Sequence, residues 1–225
     1  MAQSLTSEIK NLKHMLLYLG TMVEDNLQKA VKAFLESNVE LAKTAKEMDR
    51  EIDNTEVDLE EECLRVLALH QPVAGSLRFV VTVLKINNDL ERIGDLAVKI
   101  ADKAELLSAT DLNGWPAVIP ISDLYGPMVE KTLWMYRNCL NAFIEEDADL
   151  AYKVLLMDDE VDQAKYSIRQ QLEELQERDP TQYVYLGKLL GVSRCLERIA
   201  DHSTNICEDI IYMLQGAIIR HELAE

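Results

Sequence analysis

Turn-forming residues are scarce in this chain, with 8 glycines and 5 prolines among 225 residues. Strand-like alternation is equally rare, so the sequence has little with which to build hairpins and reads as long helices. The four cysteines, Cys63, Cys139, Cys195 and Cys207, contain no CxxC pair, and each falls within a helical run. That pattern disfavours a thiolate metal site or a disulfide framework and fits a reducing compartment. A GxxxxGK phosphate-cradling loop is missing, which argues against ATP hydrolysis. None of His14, His70, His202 and His221 has a glutamate three residues before it, so the Glu-x-x-His pairs of ferritin-like di-iron oxidases are lacking. His202 follows Cys195 by seven residues, but no third group to orient a Cys/His nucleophile is identifiable. Apolar stretches fall well short of the roughly 18 residues that a membrane span needs. The beginning of the chain carries Glu8, Lys10 and Lys13 with no apolar block. The expectation is a cytoplasmic protein with neither signal peptide nor membrane span. Basic charge is short as well: 23 Lys and Arg against 40 Asp and Glu give a net charge of −17. This opposes nucleic-acid binding and repels anionic lipid, so any membrane contact is expected to go through a protein partner.

What the chain does have is a duplication. Leu90-Glu91-Arg92-Ile93-Gly94-Asp95 returns 106 positions later as Leu196-Glu197-Arg198-Ile199-Ala200-Asp201. Met48-Asp49-Arg50-Glu51-Ile52-Asp53 is matched by Met157-Asp158-Asp159-Glu160-Val161-Asp162, 109 positions on. The apolar stripe Val83, Ile86, Leu90, Ile93, Ala97, Ile100 also recurs, as Leu189, Val192, Leu196, Ile199, Ser203, Ile206. Its alternating spacing of three and four is a helical seam, and its repetition argues for two homologous halves.

Periodicity and breakers predict helices over about 5–35, 39–69, 74–109, 121–145, 147–177 and 181–215. The architecture expected is all-α: six long helices forming two homologous three-helix bundles in tandem, 1–109 and 121–225. Residues 110–120, dense in breakers, form the expected linker. Short turns make consecutive helices antiparallel. With the first turn centred near Pro72, Asp49 falls opposite Asp95, and Asp53 opposite Glu91. With the second turn at Asp179 and Pro180, Asp158 falls opposite Asp201, and Asp162 opposite Glu197. Four carboxylates should share one level in each hairpin.

With 40 acids in the chain, about seven acid pairs four residues apart arise by chance, and a lone pair means little. Four pairs converging in two hairpins, each acid beside a core position, mean more. Such a row suits hard cations such as magnesium, calcium, manganese or iron, and lacks the ligands of structural zinc. The alternative is a network of acids and arginines with Arg92 and Arg198 as ion-pair partners. Exposed apolar positions such as Tyr183, Tyr185 and Leu186 suggest a surface for dimerisation.

The segment from Leu196 to Glu208, followed by Ile210 to Gly216, resembles a signature of the PhoU family, and Gln71-Pro72-Val73-Ala74 with Leu77-Arg78 and the later LERIGD resembles another. The resemblance covers essentially the whole chain. It implies a PhoU-like pair of three-helix repeats and a non-enzymatic, cytoplasmic negative regulator of the phosphate-starvation response. The implied partners are the Pst phosphate transporter's ATPase subunit and a PhoR-type sensor histidine kinase, and a homodimer is implied too. It also implies ions held by carboxylates (iron, manganese, magnesium or zinc) on Asp49, Asp53, Glu91, Asp95, Asp158, Asp162, Glu197 and Asp201. In the second copy Asn205 adds a neutral oxygen four residues after Asp201; in the first, Lys99 stands at that place and Leu96 replaces His202. Stronger metal binding is therefore expected in the second copy. A metal-dependent helical enzyme and a purely structural helical oligomer remain as alternatives.

Overall fold

The computed structural model describes residues 4–108, 120–216 and 218–219. Six helices follow in order: α1 Leu5–Glu36, α2 Val39–His70, α3 Ala74–Ser108, α4 Ile121–Glu145, α5 Ala148–Arg178 and α6 Tyr183–Gln215. A 3-10 turn, Pro180–Gln182, leads into α6, and there is no strand among the described residues. The segment expected as a linker lies, apart from Pro120, outside the described residues.

The two tight helix–helix turns use one device twice. Ser37, at φ 53°, ends α1 in the left-handed region, and the side chain of Asn38 then caps α2 by accepting from Leu41 N at 3.1 Å. Glu146, at φ 55°, ends α4, and Asp147 caps α5 by accepting from Leu150 N at 2.9 Å. Asparagine and aspartate suit the second position because their short side chains reach the first unpaired amides of a helix. At the other ends the turns differ. Gln71, at φ 43°, closes α2 ahead of the buried Pro72. Asp179 instead accepts from Thr181 N at 3.0 Å and Thr181 Oγ1 at 2.6 Å.

Each half buries one stripe of every helix. The stripe on α3 from Val83 to Leu107 and its copy on α6 from Leu189 to Met213 are buried throughout, including Ser203. Both halves feed a single core, because α3 packs against α6 and α1 against α4. The α1–α4 approach is close: Tyr136 donates its hydroxyl to Gly20 O at 2.7 Å, and Phe34 meets Tyr125 edge-to-face with centroids 4.9 Å apart. Gly20 suits that approach, since a Cβ would lie 3.0 Å from Leu140 Cδ1 and the leucine side chain would have to shift to admit it. Along the α3–α6 contact, Asp89 meets His202 and Lys85 meets Asp209, so the two helices run antiparallel. Of the aromatic and aliphatic residues expected to be exposed near the start of α6, only Tyr183 is. Tyr185 and Leu186 turn inward and are buried in the chain's own core.

Candidate functional site

The acidic rows lie where α2 meets α3 and where α5 meets α6. Asn87 on α3 donates to Glu56 O and Oε1 on α2, both at 3.0 Å, which fixes the first hairpin's register. That register sets Asp49 over Gly94, with Asp49 Oδ1 3.8 Å from the place a Cβ would take. Burial, followed by the charges of Asp53, Asp95 and Glu91, pushes Asp49 up to about 6. Glu91 is raised by the same burial and by Asp95. The four acids of the first hairpin are therefore within electrostatic reach of one another. Beside them runs an open groove of about 400 Å³ lined by Asp53, Glu56, Asn88, Glu91, Arg92 and Asp95.

The second hairpin repeats this arrangement. Burial and the charges of Asp201, Asp162, Asp159 and Glu197 push Asp158 up to about 6, and burial with Glu197 and Asp162 raises Asp201. Ala200 takes the place of Gly94.

The rows are partly neutralised, and differently. Arg92 Nε lies 3.3 Å from Glu91 Oε2 and its Nη1 3.6 Å from Asp95 Oδ2, while Lys99 Nζ lies 3.7 Å from the same Asp95 oxygen. In the second half Lys165 of α5 pairs with Glu197. Arg198, expected to play the part of Arg92, makes no ion pair among the described residues. Lys165 was not singled out in the sequence, although it lies three residues after Asp162 and one turn from the facing level of Glu197. Asn205 lines the groove between α3 and α6. Among the described residues, no three His, Cys, Asp or Glu side chains converge on a point that would hold a metal. The acids form ridges of carboxylates with mutual repulsion, not a closed chelate.

A second polar site, not foreseen, occupies the α3–α6 seam. A groove of about 590 Å³ is lined by Leu84, Lys85, Asn88, Asp89, Asn205, Glu208 and Asp209. Asp209, only 2% exposed, pairs with Lys85. His202 Nδ1 lies 2.8 Å from Asp89 Oδ1, so the imidazole does have a carboxylate to orient it. It makes no dyad with Cys195, which sits two helical turns, about 10 Å, along the axis. The Cys195 thiol is itself pushed up by burial. All four cysteines are free and buried.

The PhoU domain model matches residues 16–104 and 127–210, taking in both helical repeats. The chain belongs to the PhoU family. It is 35% identical over 222 residues to the phosphate-specific transport system accessory protein PhoU homolog of Pseudomonas putida, covering 98% of this chain and 84% of that protein. The Escherichia coli K12 accessory protein PhoU is 33% identical over 215 residues, covering 96% and 87%. Among solved structures, PhoU from Pseudomonas aeruginosa superposes with a TM-score of 0.86 at 32% identity, covering 95% of this chain and all of that one. The phosphate transport system regulatory protein PhoU from Streptococcus pneumoniae gives 0.84 at 28% identity, covering 96% and 99%. The PhoU fold is thus common to the whole described chain, and no helix among the described residues is long and apolar enough to cross a membrane.

Proposed function

We propose that this PhoU-family chain is a cytoplasmic, non-enzymatic regulator of phosphate uptake. It acts as an adaptor between the ATPase subunit of a Pst-type phosphate transporter and a PhoR-type sensor histidine kinase, and it restrains the starvation response when phosphate is plentiful. The observation that carries this reading is the match of the PhoU domain to both repeats, together with relatives named for phosphate-specific transport over nearly the full chain. Each repeat offers an acidic row on its own hairpin, which suits a protein that contacts two partners and, as a homodimer, offers each row twice. Pull-down of both partners at high and low phosphate is the direct test. Retention of the ATPase or the kinase in a phosphate-dependent manner supports the adaptor; retention of neither under any condition ends it.

The same reading assigns cations to the acidic rows, with Asp49, Asp53, Glu91 and Asp95 as one set and Asp158, Asp162, Glu197, Asp201 and Asn205 as the other. An all-oxygen set suits iron, manganese or magnesium, and zinc less well. Support comes from the burial and mutual repulsion that hold Asp49 and Asp158 near 6, since a bound cation would relieve the repulsion. The absence of a three-ligand point among the described residues favours instead a network of acids with Arg92, Lys99 and Lys165. Metal content after purification separates the two. The second row is expected to hold metal more firmly, because Arg92 bridges Glu91 and Asp95 in the first whereas only Lys165 enters the second. Greater metal loss from Asp49→Ala than from Asp158→Ala would reverse that order.

A further inference from the structure

The α3–α6 seam has two ends related by the internal repeat, and they carry opposite chemistry. At one end Lys85 pairs with Asp209, and Asp89 with His202. Adding or subtracting 106 gives the counterparts at the other end: Gly191 for Lys85, Lys103 for Asp209, Cys195 for Asp89 and Leu96 for His202. Both carboxylates of the seam have thus been replaced, one by a thiol and one by a cation. Lys99 stands for Asn205 and Arg194 for Asn88, so two further cations appear where the first end has amides.

The geometry fits the substitution. With no side chain at Gly191, Lys103 lies across α6, its Cε 2.5 Å from where a Cβ would stand. Its Nζ donates to Lys99 O at 3.2 Å and has no carboxylate within ion-pair distance among the described residues. Arg194 and Arg198, one turn apart on α6, likewise have none among the described residues. The repeat puts Lys99 and Arg194 at the counterparts of Asn205 and Asn88, which line the groove at the first end, and Lys103, Lys99 and Arg198 are all within electrostatic reach of the Cys195 thiol. The nearby acids are engaged elsewhere: Asp102 and Glu105 hold Lys46 at 2.8 and 3.0 Å, and Glu197 holds Lys165. Asp95 is shared between Arg92 and Lys99 at 3.6 and 3.7 Å. In a chain of net charge −17, Lys103, Arg194 and Arg198 have no ion pair among the described residues and Lys99 has only an Asp95 that it shares with Arg92, so the cluster carries self-repulsion that an anion would remove.

We propose that the seam between Lys99, Lys103, Arg194 and Arg198 is a binding site for a phosphate group. Two guanidinium forks and two ammonium groups provide the charge-assisted donors that a tetrahedral dianion needs. The proposal is independent of the adaptor reading, since it concerns the isolated chain and no partner. Titration calorimetry of the full-length protein with inorganic phosphate, at ionic strength held constant with sodium chloride, tests it. Saturable binding is expected, weakened about tenfold by Lys103→Gln and by Arg198→Gln, since each removes one charge-assisted contact. Lys153→Gln, at a lysine outside the seam, is expected to leave binding unchanged. Gly191→Ala retains the fold, because only the end of a flexible side chain must move, and it weakens binding by displacing Lys103. Glycerol 3-phosphate binding more tightly than phosphate would assign the group to a larger carrier, and the reverse would assign the free ion; either supports the site. No saturable heat at millimolar phosphate, or binding indifferent to Lys103 and Arg198, overturns it.

Discussion

Asp49 and Asp158 are the residues at which the acidic rows act on stability. Each has a folded pKa near 6, above the ordinary carboxylate value of 3.8. A group raised in this way favours the fold fully while protonated, below pH 3.8. That contribution is lost as pH rises through 6. In the absence of divalent cations the fold should therefore weaken between pH 4 and 7 from this source, by about 1 kcal/mol per residue after allowance for solvent screening. Asp49→Asn should abolish its share of the loss, so the variant is expected to be more stable than the parent at pH 7 and no more stable at pH 4. Urea midpoints at the two pH values check this, and an equal effect at both would show that the ionised carboxylate is not the strained species. Adding manganese or magnesium at pH 7 provides a complementary reading, since a cation bound at the row stabilises the parent and not the variant.

At the scale of the element, the duplication turns each helix into a control for its counterpart. Gly94 and Ala200 occupy the same place in α3 and α6, yet only the glycine incurs the entropic cost of an unsubstituted helix interior. A Cβ at Gly94 would meet Ile52 Cγ2 at 3.4 Å, an ordinary contact. Gly94→Ala is accordingly expected to raise stability by about 0.5–1 kcal/mol, as a higher urea midpoint with unchanged slope. A lower midpoint would mean that Asp49 or Ile52 cannot yield and that glycine is needed to seat the carboxylate. The helices themselves were legible in the sequence because their signals are local. Three-and-four spacing marked the α3 and α6 stripes, and Pro72 and Pro180 marked their starts. The carboxylate levels followed from hairpin symmetry. What escaped was set by contacts between elements that share no local pattern. Lys165 reaches Glu197 from the neighbouring helix, and Arg198 has no ion pair among the described residues. Asp89 orients His202 across 113 residues, and Tyr185 and Leu186 are drawn inward by packing that periodicity near a turn cannot foretell.

The whole molecule departs most from a picture of two bundles on a tether. The helices that carry the seam of each half, α3 and α6, also pack on each other, because a long helix in a six-helix body buries more than one face. The second joint, between α1 and α4, is held by Tyr136 on Gly20, by Phe34 against Tyr125 and by Arg137 Nε at 2.6 Å from Glu24 Oε1. Fully burying a side chain such as Phe34 is worth about 1.5–3 kcal/mol, and an edge-to-face aromatic pair adds about 0.5–1.5 kcal/mol. Only a few such residues are needed to exceed the roughly 8 kcal/mol that corresponds to micromolar association. Covalent continuity through residues 110–120 should therefore be dispensable once the fold has formed. A protease site introduced there and cleaved under native conditions is expected to leave the two halves eluting together from a sizing column, with unchanged helicity. Lys85→Ala, which leaves the buried Asp209 without its ammonium partner, should then loosen the cleaved complex more than it loosens the intact chain, because tethering supplies an effective concentration that the cut removes. Separate elution of the halves in the parent would show instead that the tether, and not the shared core, holds the repeats in register.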